Sequence, residues 1–81
     1  MPGLRRLYAP QRVAVRTDPR GAPETVEGET VDAVREEWLV EDRWWTPKPL
    51  RRHYFELALR DGRALTVFRT DRAQRWYRQR A

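Results

Sequence analysis

Apolar and polar positions alternate in short runs along most of the chain, and the runs are broken at proline, glycine or aspartate. The first run, residues 11–17, puts Val13 and Val15 on one face, the spacing of a half-buried strand. Asp18, Pro19, Arg20 and Gly21 then make a turn, with proline fixing one φ and glycine free to take φ > 0. Residues 25–27 read as a second strand, closed by Gly28. The strongest pattern is a hairpin over 51–70. Asp61 and Gly62 invite a two-residue turn, but that register pairs Leu57 with Thr66 and Glu56 with Val67. A three-residue loop of Arg60, Asp61 and Gly62, with Gly62 left-handed, pairs Leu57 with Leu65, Phe55 with Val67, Glu56 with Thr66 and Tyr54 with Phe68. A one-residue slip sends the whole apolar set to the wrong face, so the matched register is predicted. A four-residue loop, 71–74, then leads into a last strand with Tyr77 beside Phe68 and Trp76 beside Arg69.

Residues 29–41 are ambiguous. Val31, Val34, Trp38 and Leu39 recur at helical spacing, yet a capping box and a glycine stop are both missing. Periodicity leaves helix and strand open there. The stretch from Arg43 to Pro49 cannot continue as regular structure beyond Thr46, because Pro47 and Pro49 remove donors and hold their predecessors extended. The pattern as a whole predicts a mostly β fold: a small curved antiparallel sheet or SH3-like barrel of five to six strands, with at most one short helix. Its core is expected to hold Val13, Val15, Val26, Val31, Phe55, Leu57, Leu59, Leu65, Val67 and Trp76.

The 81 residues leave room for one β domain, with 1–10 as a candidate flexible N-terminal segment. The chain has no cysteine, so neither a disulfide framework nor a thiolate metal site holds it together. The opening residues lack the apolar stretch of a signal peptide, and no apolar run is long enough to span a membrane. A cytoplasmic protein without membrane contact is expected. Charge is blocked along the chain: residues 1–22 carry net +4, residues 23–42 net −7 and residues 43–81 net +8. That arrangement suits a polyanion or a charged partner on one face, or else pairing of the acidic block with its basic neighbours across strands.

Catalysis finds little support. His53 is the only histidine, and the chain has neither serine nor cysteine to act as its nucleophile. Glu36, Glu37, Glu41 and Asp42 lack the alternating ligand spacing of a calcium loop, and no glycine-rich phosphate loop occurs. The expectation is a non-enzyme with no cofactor, no metal and no small-molecule substrate. Two binding surfaces stand out instead. In the matched register Tyr54, Phe68 and Tyr77 form a row across three strands, with Arg51, Arg52 and Arg75 nearby. Rings among arginines are how sheet faces hold single-stranded nucleic acid, bases stacking on the rings while guanidinium groups meet phosphates. The same row would serve equally as a cross-strand ladder that stabilises the sheet. The second surface is Arg43, Trp44, Trp45 and Lys48. Adjacent residues of an extended chain point to opposite faces, so one Trp can anchor the core while the other meets a protein partner; both can also be buried.

The motifs R-W-W at 43–45, L-R-R-H-Y-F at 50–55, D-G at 61–62, V-F-R-T at 67–70 and R-W-Y at 75–77 resemble a small stand-alone bacterial domain of unknown function. The chain is similar, over about residues 11–80, to the C-terminal region of ImuB, the inactive Y-family DNA polymerase-like subunit of the mutasome. The resemblance implies a strand for much of 29–39. It also implies an accessory role in translesion synthesis or DNA repair, with nucleic acid (single-stranded DNA foremost) or polymerase and mutasome components as partners. It carries no known active site and assigns no residues. One departure is Gln74, where the family is expected to place glycine in the last hairpin loop. The alternative function is a protein-interaction adapter that uses Trp44, Trp45 and the acidic segment 24–42 without touching nucleic acid.

Overall fold

The computed structural model describes residues 10–42, 47, 50–71 and 75–79, and every regular element among them is a strand. These are β1 (Gln11–Arg12), β2 (Val15–Thr17), β3 (Pro23–Val26), β4 (Glu29–Asp42), β5 (Leu50–Leu59), β6 (Ala64–Thr70) and β7 (Trp76–Arg78). Among the described residues no helix is long and apolar enough to cross a membrane.

The β5–β6 hairpin adopts the matched register, pairing Leu57 with Leu65, Phe55 with Val67, Glu56 with Thr66 and Tyr54 with Phe68. Its turn explains why. Gly62 N donates to Leu59 O at 3.0 Å, Leu59 N donates to Arg63 O at 2.9 Å, and Gly62 sits at φ 93°. The Asp61 carboxylate braces the loop by accepting from the backbone N–H of Arg63 at 3.0 Å and from its Nε at 2.7 Å. The β2–β3 turn repeats the device. Gly21 (φ 88°) donates its N–H to Asp18 O at 2.9 Å, while Asp18 Oδ1 accepts from the N–H groups of Arg20 and Ala22.

The sheet runs β1-β7-β6-β5-β4-β3-β2. Its two ends are the two halves of one run, residues 11–17. Val13 N donates to Trp76 O on β7 at 3.1 Å, and the next residue, Ala14, accepts at its carbonyl from Glu27 N at 2.8 Å. One stretch thus holds both edges and curls the sheet towards a barrel. The expected first strand is divided there, so seven strands form where five or six were predicted. Inside the curl Val26, Phe55, Leu57, Leu59, Leu65, Val67 and Trp76 are buried together, with Val13, Val15 and Val31 packed against them. Those are the ten residues expected.

Residues 29–41 are strand, and the helical spacing has a physical source. Beta-bulges, each of which gives one strand an extra residue, interrupt β4 between Val31 and Ala33 and again between Val34 and Glu36. The inner face of β4 therefore receives Val31 opposite Leu59, Val34 opposite Leu57 and Glu37 opposite Phe55. Two bulges in succession stretch a period of two into a period of three, which imitates the i, i+3 stripe of a helix.

Candidate functional site

Alternation along β5 sorts the expected site residues by face. Tyr54 and Arg52 lie on the outer face, away from the core. Arg51 points to the inner side, where its Nε meets Glu41 Oε2 at 2.7 Å. The structure brings Arg52, Tyr54, Phe68 and Tyr77 together and leaves Arg51 on the other side of the sheet. Arg75 is exposed immediately before β7. Arg43, Trp44, Trp45, Lys48 and Gln74 lie outside the described residues, as does most of the expected N-terminal segment.

The aromatic row is real and longer than expected. Trp38 stacks on Tyr54 (centroids 5.3 Å apart, planes 7° from parallel), Tyr54 tilts against Phe68 at 4.9 Å, and Phe68 stacks on Tyr77 at 5.3 Å. Four strands are thus tied by one ladder, and such pairs stabilise by about 0.5–1.5 kcal/mol beyond their area burial. The two central rings are buried, Tyr54 with 8% and Phe68 with 2% of its surface exposed. The Arg52 guanidinium lies 5.0 Å from the Phe68 centroid, a cation–π distance, with its Nη1 3.5 Å from the Tyr54 hydroxyl oxygen. Tyr54 and Phe68 thus keep little surface in solvent, and Trp38 and Tyr77, at the ends of the ladder, are the more exposed rings. Beside Tyr77 a groove of about 260 Å³ is lined by Pro10, Arg52, Phe68, Thr70 and Tyr77.

The other surface is β4. Among the described residues, the large apolar side chains that stand out in solvent are Val34, Trp38, Leu39 and Val40, all on this strand. Leu39 is 63% exposed. On one side β4 pairs with β5 along Val31 to Asp42; on the other, β3 reaches only Glu29 and Thr30. Among the described residues the edge from 33 to 41 has no strand beside it. Next to that edge is a cleft of about 260 Å³. Val34 and Glu37 of β4 line it, with His53 and Phe55 of β5, the 18–22 turn and Arg69. His53 Nε2 lies 3.0 Å from Glu37 Oε2, and its ring stacks on Phe55 at 4.4 Å. The Arg69 guanidinium rests 5.6 Å from the Trp76 centroid.

Sequence reasoning missed the exposed edge and the place of Trp38 in the ladder. The register that sets Asp42 opposite Leu50 also sets Trp38 opposite Tyr54. The chain matches no family model, no curated protein and no solved structure.

Proposed function

We propose that the chain is a non-catalytic binding module whose working surface is the outer length of β4, and that it takes a protein partner. The observation that carries this is the coincidence of a strand edge with no partner strand among the described residues and the exposed side chains of Val34, Trp38, Leu39 and Val40. Tryptophan, here Trp38, is among the residues that most often carry binding energy at protein interfaces. On the resemblance noted above, a polymerase or mutasome component is the first partner class to try. The test is a comparison of the immobilised wild-type chain with Leu39→Glu in nuclease-treated lysate. Proteins held by the wild type and lost by the variant support the reading; identical retention by both contradicts it.

A second reading, nucleic-acid binding, is favoured by one observation, the groove in which Arg52 and Tyr77 border the end of the ladder. It calls for weak, sequence-tolerant binding of oligothymidine. Each arginine phosphate contact adds about 0.7 to the log–log salt slope for single strands. Anisotropy at low salt checks it: Arg52→Ala or Arg75→Ala should lower the slope, whereas Tyr77→Ala should weaken binding and leave the slope alone. No binding at about 100 μM protein, where non-specific binders normally register, removes this reading.

A further inference from the structure

Three features of the β4 surface constrain what can occupy it. Among the described residues the edge without a partner strand spans nine residues, 33–41, or about 30 Å at the rise of a strand. Its backbone groups form a template for another strand, and the cleft beside Val34 gives a place for a side chain of that strand. Recognition by strand addition works through this pairing, main-chain hydrogen bonds supplying affinity and pockets for alternate side chains supplying selectivity. The cleft sets the apolar surface of Val34 among the charged Asp18, Arg20, Glu37 and Arg69, so it accepts a side chain with both apolar and polar parts.

Charge decides the rest. Glu36 stands directly opposite Glu56 in the β4–β5 pair, an arrangement that costs stability. Among the described residues the ion pairs are Arg51 with Glu41 and Arg63 with Asp61, and Glu37 contacts His53, so neither Glu36 nor Glu56 has an ion-pair partner among them. A lysine or arginine on an added strand beside Glu36 relieves that repulsion. A second copy of β4 does the opposite, because residues 32–42 hold five acids and one arginine. We infer that the partner of this surface is an extended basic segment of another protein, which adds to β4 as a further strand and seats one side chain in the cleft beside Val34. The inference rests on the protein-binding function proposed above and names the chemistry of the partner.

The probe is a fluorescein-labelled seven-residue peptide of alternating arginine and valine, titrated into the full chain. Two controls accompany it: the same peptide with its central valine replaced by proline, and a glutamate–valine version. The proline peptide keeps every charge but loses a backbone donor and cannot pair as a continuous strand. The arginine–valine peptide is expected to bind in the micromolar range and to shift the amide resonances of residues 33–41. The proline peptide should bind at least about tenfold more weakly, the difference one lost strand hydrogen-bond set can make, and the acidic peptide not at all. The double variant Glu36→Gln with Glu56→Gln should weaken binding about three- to tenfold without lowering Tm. Equal affinity for the arginine–valine and proline peptides would reduce the interaction to bulk charge attraction and overturn strand addition. So would failure of the arginine–valine peptide to bind, or a free chain that sediments as a dimer. The Leu39→Glu retention experiment reports on the protein-binding function independently of all these outcomes.

Discussion

Leu57 and Leu39 are the same side chain on neighbouring strands, both directed to the inner face of one sheet. Leu57 is 0% exposed and Leu39 63%. The difference lies in what stands across the curl. Opposite the middle of β5, the Val13, Val15 and Val26 side chains close over the inner face. Opposite the outer half of β4, no described strand returns to cover it. Alternation of apolar residues therefore dictates the face a side chain takes, while burial depends on the reach of the partner layer. The β5–β6 hairpin spends its apolar residues on folding, and β4 leaves several of its own in water.

The largest contrast is expected within the ladder. Phe68→Ala should cost about 3–5 kcal/mol, the usual range for emptying a buried ring site, whereas Trp38→Ala, at the solvent end, should cost about 1 kcal/mol, on the scale of a single aromatic pair. Urea denaturation measures both; equal losses would erase the distinction between the ladder's centre and its end. The two leucines come next. Leu57→Ala should cost about 2–5 kcal/mol and Leu39→Ala no more than about 0.5 kcal/mol. If Leu39→Ala destabilises as much as Leu57→Ala, β4 is part of the core and no free surface exists there.

Smaller effects sharpen the turn that fixes the β5–β6 register. An added Cβ at Gly62 meets nothing within 4 Å, so Gly62→Ala should cost about 1–2 kcal/mol through its φ of 93° alone. Thermal melting decides; an unchanged Tm would show that the loop relaxes to another conformation. The smallest effect is the pH response of Asp61. The backbone N–H of Arg63 is the main reason its carboxyl titrates below the ordinary value of 3.8. A pKa lowered by folding contributes stability that is present above 3.8 and fades as pH falls through the lowered value. Acid titration of Tm should show a small loss in the wild type that Asp61→Asn lacks.

Much of this was legible in the sequence because it rests on local rules. The 59–63 turn has its glycine where φ must be positive, and only one hairpin register then matches apolar with apolar. That sufficed to place the core from Phe55 to Trp76 and the row from Tyr54 to Tyr77. The β4 strand was not legible from periodicity, since its bulges at Asp32 and Arg35 disguise alternation as a helical stripe. Nor was the burial of Tyr54 and Phe68, which depends on the packing of a whole face and not on spacing along one strand. The split of residues 11–17 between β7 and β3 is a closure event with no local signature.

Docking on β4 requires its 33–41 edge to be open, and amide hydrogen exchange of the isolated chain tests this most directly. A strand paired on both sides protects every amide, while a strand paired on one side protects alternate ones. Continuous protection is expected along β5 from Tyr54 to Leu57, where β4 and β6 flank it. Along β4 from Glu36 to Glu41 protected and fast-exchanging amides should alternate. Continuous protection through that stretch would mean that the edge is already occupied, and would contradict a docking surface on β4.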